Sequence, residues 1–297
     1  MNRVHDFCSH LKTIAENGYV EGLRALSHPA KTEAPKMTSS AAKRGHLAFL
    51  QEMDALGLLQ ESCYLAIHAA ATYGQTECLE FLVSRLGTKY LGFVNDNGDI
   101  PIHLAARTKN PETLRAIIRL YPHYKPLSST KFIVKSPLHE AISKSRRANI
   151  RILLDTFPKL IKFKDDWRHT VIHLAMNDSD ADLLLRELLE LAPPKIITAK
   201  NIVGKTALHM GQDLSNYFEK VELLMKTGLF TGTERHDTGQ TPIALFIQNL
   251  ECKTPPTRSR MMESFQLKSE EELKSKLMEI FKLKSEKEFK KSLKIKY

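Results

Sequence analysis

Residues Gly98 to Tyr121 read GDIPIHLAARTKNPETLRAIIRLY, with His103 set inside an otherwise apolar run. A single copy leaves three roles open for that histidine: metal ligand, catalytic base, or a structural group that hydrogen-bonds its own backbone. The remaining copies decide the fold. LAIHAAATYGQTECLEFLVSRL carries His68, SPLHEAISKSRRANIRILLDTF carries His139, TVIHLAMNDSDADLLLRELLEL carries His173, and TALHMGQDLSNYFEKVELLMKT carries His209. TPIALFIQNL follows with Ala244 in the histidine slot, and the successive spacings are 35, 36, 34, 36 and 35 residues. A period of that length describes one helix-turn-helix unit stacked on the next.

Other features recur in the same register. Thr or Ser, with Pro, precedes the histidine slot at Ser136-Pro137, Thr241-Pro242, Thr170 and Thr206. Asn97-Gly98, Gly204 and Gly239 stand where a turn needs a residue tolerant of positive φ. Leu114, Ile117 and Ile118, then Ile150, Leu153 and Leu154, place apolar residues at helical spacing in the second half of their units.

This pattern resembles the ankyrin repeat, whose signature is T-P-L-H-x-A in about 33 residues. The resemblance covers residues 8 to 250 as seven or eight units. It includes two shorter ones around Gly18 (KTIAENGYVEGLRAL) and Gly45 (SSAAKRGHLAFLQEM), 27 and 29 residues before the next glycine of the series. It implies an all-α helix-turn-helix solenoid. We divide the chain into degenerate helical pairs over 1–62, the repeat solenoid over 63–250, a linker over 251–262 and a charged amphipathic helical tail over 263–297. The resemblance also implies that His68, His103, His139, His173 and His209 are structural. One histidine per unit, about 10 Å from the next in a stack of packed helices, assembles no single metal site.

The sequence departs from the family between the two helices of a unit. The usual Gly-His survives at Gly45-His46 and partly at Gly74-Gln75, and gives way to Lys109-Asn110, Ser145-Arg146, Ser179-Asp180 and Ser215-Asn216. PHYKPLSSTKFIV and MKTGLFTGTERHDTG are long connections for the family.

Members of the family bind proteins through a concave face of turn tips and first-helix outer positions. Carried over residue by residue, those positions are Asp96, Asn97, Asp99 and Arg107, then Phe132, Ile133 and Lys135, then Asp166, Trp167 and His169, then Ile202, Val203 and Lys205, then Asp237, Thr238 and Gln240. Trp167, Phe132, Ile202 and Val203 are apolar groups at places where water is expected. Trp167, the one tryptophan of the chain, is either an interface anchor or a plug folded back on a neighbouring turn.

The formal charge is +10, and the segment from Lys253 onward, with thirteen Lys or Arg against seven Glu, supplies +6 of it. That segment repeats itself after sixteen residues, FQLKSEEELKSKL from Phe265 and FKLKSEKEFKKSL from Phe281. Leu273, Leu277, Ile280, Phe281 and Phe289 form an interrupted apolar stripe, and Glu270 with Lys274 and Glu272 with Lys276 make helix-supporting pairs. A helical hairpin or one long helix that caps the solenoid follows. The Glu cluster, the surrounding Ser and Lys and the apolar Ile295 near the end also resemble the uncleaved C-terminal export signals of bacterial effectors delivered by type IV secretion. The basic KKSLKIKY leaves contact with an anionic membrane open, while neither nucleic acid nor a small-molecule substrate is the expected partner.

Four scattered cysteines without a C-x-x-C pair, a polar N-terminus and no long apolar run lead us to expect a soluble, intracellular monomer without cofactor or metal. Cys8 between His5 and His10 is the minimum for a thiol nucleophile. Beside Val4, Phe7 and Leu11 it reads first as a small core hydrophobe, and the thiol enzyme stays a low-weight alternative. The sequence contains no Walker A, G-x-G-x-x-G, H-E-x-x-H or G-x-S-x-G motif. The expected function is therefore protein binding, by a bacterial effector acting on a host protein or by an ordinary intracellular adaptor.

Overall fold

The structure, a computed structural model, describes residues 11–25, 33–124, 135–178, 182–211, 216–252, 262–263, 267 and 269–293. His5, Cys8, His10, Phe132, Ile133 and Ile295 lie outside the described residues. The chain forms two compact units, Met1–Thr156 and Phe157–Tyr297, and all regular structure among the described residues is helical.

In the first unit a helix over residues 11–17 (α1) is followed by α2 (Val20–Ala25), α3 (Ala34–Arg44), α4 (Leu47–Ala55), α5 (Leu65–Tyr73), α6 (Thr76–Leu86), α7 (Pro101–Ala106), α8 (Pro111–Leu120), α9 (Pro137–Ser143) and α10 (Arg147–Thr156). They stack in two layers: α3 on α5, α5 on α7 and α7 on α9 in one, and α2 on α4, α4 on α6, α6 on α8 and α8 on α10 in the other.

The layers differ in composition because they differ in surroundings. In the first layer α7 is short and buried all round, every residue from Pro101 to Ala106 being buried. Proline opens α7 and α9, where the first helical N–H has no partner to lose. Second-layer helices bury one face: Leu114, Ala116 and Ile117 of α8 face inward, while Glu112, Arg115 and Arg119 stay in water.

Between the two helices of four repeats in the first unit the residue type changes but the hydrogen bond does not. His46 Nε2 reaches the carbonyl of Glu16 at 2.8 Å, Gln75 Nε2 that of Lys43 at 3.4 Å, Asn110 Nδ2 that of Gly74 at 2.9 Å and Arg146 Nε that of Arg107 at 2.8 Å. Each side chain satisfies a carbonyl left over at the C-terminal end of the preceding unit's first helix. The replacement of Gly-His by Lys109-Asn110 and Ser145-Arg146 therefore keeps the inter-unit link. Ser145, in the glycine slot, takes φ 54°.

The second unit, by itself, has a two-layer arrangement of the same kind, with α11 (Val171–Met176), α12 (Asp182–Leu191), α13 (Pro194–Ile197), α14 (Tyr217–Lys226), α15 (Pro242–Glu251), α16 (Glu270–Ile280) and α17 (Glu286–Leu293). The first layer runs from α11 through the 3-10 turn Ala207–His209 to α15 and α17, and the second from α12 through α14 to α16. So α16 is the second helix of the unit that opens at Thr241, and α17 covers that unit's first helix. The linker expected over 251–262 lies mostly outside the described residues. The cap is fastened by Thr241 Oγ1, which donates to the carbonyl of Ser292 at 2.7 Å, and by the buried Leu273, Leu277, Ile280, Phe281 and Phe289.

Two buried polar side chains do matching jobs. Asn149 Nδ2 donates to the carbonyls of Ala105, Ala106 and Thr108 at 3.2, 3.0 and 2.9 Å. Lys220, fully buried, donates through Nζ to the carbonyls of Ala175 and Met176 at 3.2 and 3.3 Å and to that of Asp178. Each closes the C-terminal end of a first-layer helix that has no glycine there.

Candidate functional site

The turn tips share one construction. In the first unit Asn95 N donates to the carbonyl of Asp99 at 2.9 Å and Gly98 N returns to the carbonyl of Asn95 at 2.9 Å. The Asn95 side-chain oxygen meanwhile accepts from the amides of Asn97 and Asp99 at 3.0 and 2.9 Å. In the second unit Asn201 does the same: its amide donates to Lys205, and its Oδ1 accepts from Val203 and Lys205 at 3.0 and 2.9 Å. Asp165 N donates to His169 O at 3.0 Å, with His169 N on Asp165 Oδ1 at 2.7 Å. His236 N donates to Gln240 O at 3.1 Å. Sequence reasoning missed Asn95, Asp165, Asn201 and His236 as the organisers of the tips. The available signal was their place, three residues before the positive-φ slot at Gly98, Arg168, Gly204 and Gly239.

The repeat histidines tie these tips to the stack. Thr170 N donates to His173 Nδ1 at 3.2 Å, which makes Nδ1 the acceptor and leaves Nε2 to donate to the carbonyl of Lys205 at 3.0 Å. His209 repeats this with Thr206 N at 3.2 Å and Gln240 O at 3.4 Å. His68 Nε2 meets Phe93 O at 2.8 Å, His103 bonds to the backbone of Lys135, and His139 Nδ1 meets Ser136 Oγ at 2.7 Å. Burial penalises the imidazolium and holds His103 and His173 down at about 4 and His209 at about 3, with His68 also lowered.

The structure divides the sequence-selected binding residues into two kinds. Asp99 and Arg107 belong to a half-buried ion-pair triad: Arg107 Nη2 lies 3.0 Å from Asp99 Oδ1, and Arg107 Nε lies 2.7 Å from Glu140 Oε2. Desolvation pushes the Asp99 carboxyl up, against the pull of Arg107. His169 likewise turns inward, to Asp165 Oδ2 at 3.3 Å and Asn201 Nδ2 at 3.1 Å. Lys135 is exposed and Lys205 half-buried.

Trp167, Ile202 and Val203 are of the other kind. Trp167 is 58% exposed and does not fold back as a plug, and Ile202 and Val203 are each 44% exposed. They sit on neighbouring tips joined through the backbone. Ile202 N donates to the carbonyl of Trp167 at 2.9 Å, and Asp237 N to that of Val203 at 3.2 Å. Three apolar side chains are thereby held toward water on a hydrogen-bonded frame. Lys164 and Arg168 belong to the tip of Trp167, Lys200 and Lys205 flank Ile202 and Val203, and Lys195 lies within electrostatic reach of Lys164. Burial lowers the Lys164 ammonium, as do the charges of Arg168 and Lys195.

The ankyrin repeat family model (three copies) matches residues 11–128 and 67–160, together half of the chain. The chain belongs to the ankyrin repeat family. An ankyrin repeat protein of Rickettsia bellii (strain RML369-C) is 30% identical over 79 residues, a stretch that spans 26% of this chain and 32% of that protein. The chain thus matches about a third of the length of this curated relative. Among solved structures, the human ASB11 ankyrin repeat domain superposes with a TM-score of 0.59 at 20% identity, covering 76% of this chain and 96% of that one. A chain from the complex of the predatory endopeptidase Bd0816 of Bdellovibrio bacteriovorus with immunity protein Bd3460 gives 0.50 at 18% identity, covering 65% and 96%. Both likenesses concern the fold.

Ankyrin repeat domains are usually non-catalytic modules that bind proteins. Among the described residues no group of three His, Cys, Asp or Glu is gathered to hold a metal ion, and no helix is long and apolar enough to cross a membrane.

Proposed function

We propose that this ankyrin chain is a bacterial effector that engages a host protein through its turn tips, with Trp167, Ile202 and Val203 as the anchors and Lys205 beside them. The observation that carries the binding site is the exposure of three apolar side chains on adjacent tips whose backbones are bonded to each other. Exposed apolar clusters with a tryptophan at the centre are what protein interfaces use as hot spots. Asp99, Arg107 and His169 support the tips from inside. Lys135 is a second exposed tip position, and Phe132 adds an apolar tip residue in the sequence.

The effector setting is supported by the C-terminal sequence, with its Glu cluster and Ile295, and by the ankyrin relative in Rickettsia bellii. The acidic Glu270, Glu271 and Glu272 stay exposed at the start of α16 although the apolar face of that helix is buried.

Capture from a eukaryotic lysate on the immobilised full chain tests the binding site, with a Trp167→Ala, Lys205→Ala double variant alongside. A protein held by the parent and lost by the equally stable variant supports it, and identical captures contradict it. The effector setting is tested separately, by fusing a translocation reporter to the chain in a bacterium with a type IV system. Delivery that stops on removal of residues 294–297 supports export through the tail, delivery indifferent to it contradicts the tail as signal, and no delivery of the intact chain leaves the adaptor reading.

A further inference from the structure

The cations of the apolar tip cluster make no ion pair with a carboxylate among the described residues. Among the described residues, Lys164, Arg168, Lys195 and Lys205 have no carboxylate within ion-pair distance, and Lys200 gives its ammonium to the carbonyl of Arg235 at 2.9 Å. The carboxylate of Asp165 is turned into its own tip, on His169. Exposed acids on these tips are Asp166 and Asp237. On and beside the tips that carry the three apolar side chains, five cations therefore stand against two exposed carboxylates.

Such a surface repels itself when bare. Burial lowers the Lys164 ammonium and the His209 ring, and the neighbouring charges act the same way, Arg168 and Lys195 on Lys164, and His236, Lys205 and Lys200 on His209. A ligand that brings negative charge relieves the repulsion, and one that also brings apolar side chains covers Trp167, Ile202 and Val203. Single-stranded nucleic acid matches the charge but not the apolar part. Bases stack on flat aromatic faces, and two of the three groups here are aliphatic.

We propose that the partner presents to these tips an acidic segment carrying aliphatic or aromatic anchors. The inference rests on the tip-binding reading above and specifies the chemistry of what binds there.

A random peptide library displayed on phage and selected on the immobilised full chain tests it, followed by affinity measurement of the enriched peptides through the emission of Trp167, the chain's one tryptophan. The expected result is enrichment of peptides rich in Asp and Glu with interspersed Leu, Ile or Phe. They should blue-shift that emission, weaken as salt rises and bind about tenfold less tightly to a Lys195→Ala, Lys205→Ala variant. Thermal unfolding of that variant checks that it stays folded. Enriched peptides without acidic character that still need Trp167 and Ile202 overturn the acidic partner and leave the tip-binding reading standing. Fluorescently labelled peptides whose anisotropy shows binding indifferent to Trp167→Ala and Ile202→Ser, or no enrichment at all, overturn both. An oligo-dT probe that quenches Trp167 more strongly than any selected peptide assigns the patch to nucleic acid instead and overturns the proposal.

Discussion

The imidazole Nε2 of His173 donates to the carbonyl of Lys205 at 3.0 Å, so a buried ring in one repeat holds the tip of the next. His209 does the same for Gln240. These links need neutral rings, and pH therefore acts on the stack through them.

Unfolded, each histidine titrates near 6.5, whereas folded His103 and His173 stay neutral down to about 4 and His209 to about 3. Between those limits the unfolded chain carries protons that the folded chain does not. Stability is thus full above the unfolded value and is lost as pH falls toward the folded values. Each ring contributes a slope of up to roughly 1.4 kcal/mol per pH unit in that window. Urea midpoints measured from neutral pH down to about pH 4.5 should fall steadily. Replacing His173 and His209 by Asn should flatten the slope while lowering stability at neutral pH.

Lys220 and Asn149 close helix ends with buried donors. Lys220→Met fills the same space without the ammonium and leaves the carbonyls of Ala175 and Met176 unmatched, at a cost of about 2–3 kcal/mol. Asn149→Asp should cost at least as much, since a carboxylate then faces the three carbonyls that the amide now serves. Chemical denaturation of each variant reads the loss.

Arg168 occupies the positive-φ slot that Gly98, Gly204 and Gly239 fill in the sister tips, at φ 57°. A side chain there carries strain, so Arg168→Gly should raise stability by about 1 kcal/mol. It also removes one of the five cations, and partner affinity should fall. A variant that gains stability and loses no affinity shows that Arg168 takes no part in binding.

Deleting residues 270–293 removes the second helix of the last repeat and the helix over its first. The faces of α14 and α15 that now pack on them become exposed apolar surface. Thermal unfolding should shift down by several degrees and the truncated chain should aggregate. A tail that merely trails from the solenoid predicts no change.

The stack was legible because its period is written five times with a histidine in each copy, and because Leu114, Ile117, Ile150 and Leu153 fall at helical spacing. The substitutes for Gly-His were not, since Asn110 and Arg146 reach their carbonyls across units and only the packed structure shows that they do the work of His46. The role of α16 was hidden by the Pro-containing stretch before it, which looks like a linker whether it joins two domains or two helices of one repeat. In the site, Trp167 was legible as an odd apolar residue at a tip. That Arg107 would spend its guanidinium on Asp99 and Glu140 depends on a partner 33 residues away, beyond the reach of local spacing.

Amide hydrogen exchange of the full chain with and without its captured partner tests the central claim most directly. Protection should concentrate in peptides covering residues 164–169 and 200–205, the tips that bear Trp167, Ile202 and Val203, and should vanish in the Trp167→Ala, Lys205→Ala variant. Protection confined to α16 and α17 or to the exposed faces of the second-layer helices, with both tips exchanging as in the free chain, would contradict it.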